Sequence, residues 1–259
     1  MKHTYLIVFV LISFSIITAQ ESRKIIDLTY AFDENTIFWP TQEGFQLIED
    51  FHGMTEKGYF YSSYGFKTAE HGGTHLDAPI HFYEGRYTSD EIPLEKFIGQ
   101  AIVIDASEAC AENRDYLFGI SDFENWEAQH GRIPDESIIL LKSGFGKYWP
   151  DREKYMGTAE RGEEAVAKLH FPGLSEEGAK WLVKERKVKA VGIDTPSIDY
   201  GQSKYFKTHV VLCEANTPIL ENVANLDLLP PKGFEVIALP MKIKGGSGGP
   251  TRIIAIIEE

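Results

Sequence analysis

Cysteine is almost missing from this chain. Cys110 and Cys213 are the only two in 259 residues, which excludes a disulfide framework. Neither has CxxC spacing, so neither is assigned to metal. A bond between them stays open for an exported chain, although Cys213, in the apolar "HVVLCEA", reads as a buried free thiol. Basic charge is also scarce: 26 Lys and Arg face 39 Asp and Glu, for a net charge of −13. No basic stripe interleaved with aromatics appears, which argues against nucleic acid as a partner. After residue 20 no apolar run is long enough to cross a membrane. There is no repeat with a period of 20 to 50 residues and no Pro/Ser linker. No G-x-S-x-G elbow or Ser-His-Asp order points to a serine nucleophile.

The one long apolar run lies at the start. "MKHTYLIVFVLISFSIITAQ" has Lys2, then apolar residues from Tyr5 to Ile17, then small or polar ones. This is the layout of a secretory signal peptide, and the run falls short of the ~20 residues of a spanning helix. Residues 1–19 are expected to be cleaved after Ala19 and the mature chain exported, secreted or periplasmic. Residues 20–259 are expected to form a single domain. A chain of that length buries roughly 70–75% of its unfolded surface, so no metal is needed simply to fold.

The pattern along residues 20–259 alternates strands with a few helices. "RKIIDLTYAF", "QLIEDF" and "GYFYSSYGFKTAEH" read as strands, the last with one face exposed. "QAIVIDAS", "ESIILLKSGF" and "VKAVGIDTPSID" are continuous apolar runs, as expected of strands covered on both faces. "SEEGAKWLVKERK" is a helix capped by Ser175, and "GISDFENWEAQHG" a helix capped by Ser121 and stopped by Gly131. "GFEVIALPMKI" and "TRIIAIIEE" close the chain as strands. The charged stretch 148–168 reads as an excursion over the surface. The class is α/β or α+β with a mixed sheet.

Three of the eight histidines stand in "EHGGTHLDAPIHF", Glu70 to Phe82. Gly72, Gly73 and Pro79 argue against a helix. In extended chain His75 and Asp77 share a face, because side chains alternate with a period of two. Gly72-Gly73 can turn the chain so that His71 joins them. Two imidazoles and a carboxylate then converge, a donor set suited to Zn2+ or Mn2+. His81 falls on the same side, farther away, if the strand continues past Pro79. A lone histidine would favour an ordinary hydrogen-bonded side chain. Four such groups in eleven residues, with glycines where close approach is needed, favour a metal.

The same stretch resembles the signature of the metal-dependent cyclase family, H-x-G-T-H-x-D-x-P-x-H, with every fixed position present. That family includes bacterial kynurenine formamidases and isatin hydrolases. "GIDTPSID" (192–199) is similar to its second signature, and "HVVLCEANTPILENVANLDLLP" (209–230) to its third. "LPMKIKGGSGGPTRIIAI" (239–256) resembles its C-terminal strand pair. The resemblance implies a swivelling β/β/α fold, usually a homodimer or higher homo-oligomer. It implies His71, His75 and Asp77 as metal ligands, with His209 and Glu221 completing a second site in members with two ions, and His81 as the catalytic histidine. Without it, His209 reads as a strand histidine and Glu221 as a surface carboxylate. Asp194, Thr195, Ser197 and Asp199 either orient ligands or cap a turn. Trp39 and Phe82 are either pocket wall or core.

The implied activity is metal-dependent hydrolysis of a small aryl or cyclic amide by activated water, with His81 moving the proton. Ring opening of isatin is favoured by the 148–168 insertion and by export. Hydrolysis of N-formylkynurenine to kynurenine and formate is the alternative. A metal-binding protein without turnover is the alternative of another class.

Overall fold

The computed structural model describes residues 23–258; the expected signal peptide lies outside the described residues. Among the described residues there are twelve strands: β1 (Arg23–Asp27), β2 (Gln46–Met54), β3 (Phe60–Lys67), β4 (His75–Asp77), β5 (Ile98–Asp105), β6 (Leu117–Phe118), β7 (Ile138–Lys142), β8 (Gly173–Leu174), β9 (Ala190–Ile193), β10 (Ile219–Glu221), β11 (Phe234–Pro240) and β12 (Gly248–Glu258). Six α-helices intervene: α1 (Ser107–Glu112), α2 (Ile120–His130), α3 (Arg152–Met156), α4 (Glu163–Val166), α5 (Glu176–Glu185) and α6 (Lys207–Glu214).

Eight strands form one mixed sheet in the order β1-β12-β11-β5-β7-β9-β10-β4. The start of β12 returns to pair with β4, Gly248 opposite Asp77 and Pro250 opposite His75, so the sheet curls and closes on itself. The segment β5-β7-β9-β10 is parallel. As the continuous apolar runs predicted, β7 is covered on both sides. Its alternate residues serve two cores. Ile139 and Leu141 pack among the helices with Phe123, Leu182 and Ile193. Ile138 and Leu140 face the closed interior with Val236, Ala238 and Ile253. The mixed α/β sheet agrees with the sequence reading.

Local chemistry accounts for both longer helices. Ser175 caps α5 by accepting from the Gly178 amide at 3.0 Å. The expected Ser121 cap of α2 is displaced: Ser121 is already helical and Gly119 is the cap. Asp122 reaches back to accept from the Gly119 amide at 2.7 Å, and that carboxylate accounts for the shift. Gly131 does stop α2, at φ +87°. The 148–168 stretch is not merely a surface excursion. It folds into α3 and α4 and buries Tyr155, Met156 and Ala165. Nor does β3 expose only one face. With β2 it forms a separate two-stranded ribbon exposed along nearly its whole length. Both cysteines are buried and free, so no bond joins them.

Candidate metal and active site

The turn before β4 brings the first histidine in. At Gly72, a Cβ would stand 2.0 Å from Phe38 Cδ1, so only glycine fits against that ring. At Gly73 φ is +56°, the left-handed region that glycine tolerates. Buried Thr74 pins the turn, donating to the Asn222 carbonyl at 2.7 Å and accepting from the Tyr30 amide at 3.0 Å. His71 thereby reaches Asp77, with Nδ1 2.6 Å from Oδ1. Its Nε2 lies 2.9 Å from Ser247 Oγ, which donates to Glu70 Oε2 at 2.6 Å.

The period-two expectation for β4 holds. His75 and Asp77 face the site, while Leu76 between them packs into the closed core. His75 Nδ1 bonds the Gly73 carbonyl at 2.9 Å, which turns Nε2 inward. That atom stands 3.2 Å from Asp77 Oδ1 and 3.4 Å from Glu221 Oε2. Glu221 lies directly across from His75 in the β10–β4 register, and its Oε1 accepts from the Ile198 amide at 2.7 Å. It is a buried strand carboxylate, not a surface one.

His209 is not a strand histidine. It sits in the first turn of α6, 3% exposed, with Nε2 3.2 Å from Asp77 Oδ2 and 3.3 Å from Glu221 Oε1. Its Nδ1 is held by Asp199 Oδ2 at 2.7 Å, and the same carboxylate oxygen accepts from its own amide at 3.1 Å. Asp199 therefore orients a site histidine, the arrangement that fixes which ring nitrogen faces an ion. Asp194 takes the other role left open by the sequence: it caps a turn, accepting from the amides of Ser143 and Gly144. Thr195 bonds the Ser197 carbonyl, and Ser197 lines the cavity.

For His81 the structure departs from the extended-chain expectation. The strand ends at Asp77, and a 3-10 turn over Pro79–His81 follows. The turn lays the His81 ring flat on His71, centroids 3.8 Å apart and planes 15° apart, and edge-on to His209 at 6.0 Å. Donor atoms of His71, Asp77 and His81 fall within 4.8 Å of one another, as do those of His75, Asp77 and Glu221. His81 is thus as near to Asp77 as a ligand is, rather than set apart from the group.

The groups themselves fit a cation. His75 Nε2 is buried and makes no hydrogen bond, although it points between two carboxylates. Burial works against charge on His75, yet Asp77 and Glu221 hold its pKa up at about 9. The same contest, with Asp199, Asp77 and Glu221 winning, holds His209 well above its usual value. Burial and the neighbouring Asp77 raise the Glu221 carboxyl, while Asp77, though buried, is held low by His71 and His75. A site whose carboxylates force protons onto buried imidazoles demands positive charge, and a divalent ion supplies it with neutral histidines as ligands. His81 behaves oppositely. Burial first, then His71, His209 and His75, push it down to about 3 against the pull of Asp77, leaving a neutral ring.

The cluster forms the floor of a cavity of about 300 Å³. Trp39, Phe82 and Phe206 wall it; Phe82 and Phe206 are 5.3 Å apart, and Trp39 and Phe206 6.3 Å. Trp39 and Phe82 also pack against the helical core, so they serve as both wall and core. Phe206, Asn222 and the Glu70–Ser247 pair escaped the sequence reading. Asn222, adjacent to Glu221, donates to the Gly73 carbonyl at 2.7 Å. Position beside a site carboxylate was its one signal. Ser247 and Glu70 are 177 positions apart and had none.

The family model described as "Putative cyclase" matches residues 26–200, most of the chain. The chain belongs to this cyclase family. His209 and Glu221 lie beyond the matched segment, and the fold carries them to it. Among relatives, the chain is 30% identical to an isatin hydrolase of Roseibium aggregatum over 208 residues, covering 77% of this chain and 76% of the relative. It is 26% identical to a kynurenine formamidase of Salinibacter ruber, covering 89% and 96%. Isatin hydrolase A from Ralstonia solanacearum superposes with a TM-score of 0.81 at 32% identity, covering 91% of this cyclase and 92% of that chain.

Proposed function

We propose that this cyclase-family protein is a metal-dependent hydrolase of the C–N bond in a small aryl or cyclic amide, with isatin-type ring opening favoured. The observation that carries the reading is the His81 ring stacked on His71 at the edge of a buried cluster of imidazoles and carboxylates. Its support from outside the chain is the likeness to proteins named isatin hydrolase, in sequence and in fold. His71, His75 and Asp77 would hold a divalent ion, with His209 and Glu221 available to the same ion or a second, and Zn2+ or Mn2+ suits this mixed imidazole and carboxylate set. The bound ion would supply water of lowered pKa, from about 16 to about 7, and polarise the amide carbonyl.

The rest of the chemistry belongs to the chain. A ring nitrogen of His81 accepts the proton from the attacking water as its oxygen bonds the carbonyl carbon. The C–N bond breaks, and the same nitrogen returns that proton to the departing amine. Asp199 keeps His209 in one tautomer throughout. Trp39, Phe82 and Phe206 offer an aryl ring flat or edge-on contact and exclude bulk water. A cyclic amide then leaves as one molecule carrying both amine and carboxylate, whereas an N-formyl aniline leaves as two.

The test is a screen of the Zn2+- and Mn2+-loaded protein against isatin, formylated anilines including N-formylkynurenine, and simple lactams. Turnover of isatin above the others is expected. Preference for N-formylkynurenine would move the assignment to the arylformamidase reading, which the relatives named kynurenine formamidase favour. Folded, metal-loaded protein inert on all of them would point to the metal-binding reading without turnover. Export belongs to the same reading. Its support is the charged start and short apolar run of residues 1–19, and N-terminal sequencing from a secreting host should give Gln20 or Glu21.

A further inference from the structure

One side of the cavity hangs on a single short loop. Phe38, Trp39, Thr41 and Gln42 all line it, and Trp39 stands edge-on to Phe206 at 6.3 Å and to Phe171 at 6.5 Å. The 148–168 segment lines none of the cavity, yet three of its donors reach this loop from outside. Arg152 Nη1 donates to the Phe38 carbonyl at 2.9 Å. The Gly162 amide donates to the Pro40 carbonyl at 2.9 Å. Arg161 Nη2 donates to the Gln42 carbonyl. Alternate carbonyls at 38, 40 and 42 are thus all held by one segment, with Trp39 and Thr41 between them.

The segment is itself a fixed frame. Trp149 stacks on Tyr30, centroids 4.1 Å apart and planes 6° apart. Tyr155 is buried, and its hydroxyl donates to Asn222 Oδ1 at 2.9 Å, next to the site carboxylate Glu221. Tyr155 and Arg152 share α3, so the arginine is tied to the same frame as the metal cluster. Arg132, Arg186 and Arg252 each pair with a carboxylate. Among the described residues neither Arg152 nor Arg161 does, in a chain with 39 acidic residues against 26 basic ones. Arg152 Nε and Nη2 are buried without a partner. Burial, then the neighbouring Arg161, lower the Arg152 pKa to about 10, which leaves it cationic at neutral pH. Like charges kept together, one of them out of water and unpaired, work against stability. Stability alone therefore does not account for the pair.

We propose that Arg152 and Arg161 are positioning residues for aryl recognition: the 148–168 segment clamps the 38–42 loop and sets the width of the slot that admits the substrate ring. This rests on the reading of the site as an aryl-amide hydrolase and adds what selects the ring. Neither arginine touches substrate. A guanidinium presents its N–H donors in a fixed plane, so a carbonyl it holds is fixed in direction as well as distance. Trp39, between two held carbonyls, loses the backbone freedom that would let it swing. The cavity is about 300 Å³, at the low end for small-molecule sites. That volume suits a flat amide of one or two rings between Trp39, Phe82 and Phe206. Releasing the loop lets Trp39 withdraw, which weakens contact with a flat ring.

Calorimetric titration of the metal-loaded chain with benzoate and with acetate tests this without turnover. Either carboxylate can ligate the ion, but only benzoate offers a ring to the wall. Benzoate should bind the wild type more tightly than acetate. Arg161→Met, at an exposed position, should weaken benzoate about tenfold, the order of one aromatic contact, and leave acetate unchanged. Arg152→Met with Arg161→Met should weaken benzoate further. Arg161→Lys keeps a donor for the Gln42 carbonyl and should restore benzoate affinity. Hydrogen exchange reads the loop itself: the Gln42 amide, bonded to the Trp39 carbonyl at 3.0 Å, should exchange about tenfold faster in Arg161→Met. Loss of benzoate and acetate alike places the damage at the metal and overturns the clamp. A wild type that prefers benzoate, with Arg161→Met and the double variant preferring it equally, overturns the clamp and leaves the aryl-amide reading standing. A wild type that binds benzoate no more tightly than acetate overturns the aryl reading and the clamp with it.

Discussion

Replacing His81 with alanine separates proton transfer from metal binding. The His81 imidazole stacks on His71 at 3.8 Å, and its donor atoms are as close to Asp77 and His71 as those of a ligand would be. If His81 is the proton shuttle, His81→Ala leaves His71, His75, Asp77, His209 and Glu221 in place, and metal content stays at the wild-type stoichiometry. The rate constant kcat should then fall by roughly 10²–10⁴, the usual contribution of a positioned acid–base group. At 1.36 kcal/mol per tenfold this is about 2.7–5.4 kcal/mol of transition-state stabilisation. KM should move little, since the lost interaction is made in the transition state alone. The assay is metal content by elemental analysis, with kcat and KM from the same preparation. A variant that loses its metal makes His81 a ligand and sends the search for the base elsewhere. A variant that keeps both metal and full kcat refutes the proton-transfer role outright.

His75→Ala removes an imidazole that is 2% exposed between two buried carboxylates, so elemental analysis should show metal content collapsing, and the metal-free variant should lose about 3–5 kcal/mol of stability. Asp199→Ala leaves every candidate ligand but frees the His209 ring; chelator competition should report a 10–100-fold loss of metal affinity, the usual cost of removing such a support, and unchanged affinity would show that His209 does not bind the ion. Gly72→Ala drives a methyl into the Phe38 ring, so thermal unfolding should register a loss of about 1–3 kcal/mol. Burial pushes the Cys213 thiol up to about 12 and raises Cys110 as well; since the thiolate is the reactive form, iodoacetamide at pH 8 should label neither in the folded protein and both after unfolding.

The part of the site legible in the sequence is the part built by neighbours in the chain. His75 and Asp77 had to share a face because alternation along an extended backbone is a property of two residues and the one between them. Gly72 and Gly73 marked a turn because the absence of a side chain is itself a local fact. The buried parallel strands showed as unbroken apolar runs for the same reason: each residue carries its own solubility. Ser175 was a readable cap, whereas Ser121 was not, because the choice between caps two positions apart went to Gly119, whose amide meets the Asp122 carboxylate.

Tertiary structure alone decided the rest. His209 is 132 positions from Asp77, and only the packing of α6 beside the Pro79–His81 turn brings them together; resemblance named His209 and Glu221, but their residue types and local spacing did not. The same applies to Asp199 beside His209, to the Glu70–Ser247 pair behind His71, and to Tyr155, whose place in a charged stretch concealed that its hydroxyl bonds the Asp194 carbonyl and Asn222 in the core. The β2–β3 ribbon makes the point from the other side. Its aromatics read as a strand, correctly, but whether a strand's faces are covered depends on what the remaining chain lays against them, and here the described fold lays almost nothing. Side-chain alternation is set within a few ångströms of backbone; burial, ligation and proton affinity are set by groups that meet only after the chain has closed.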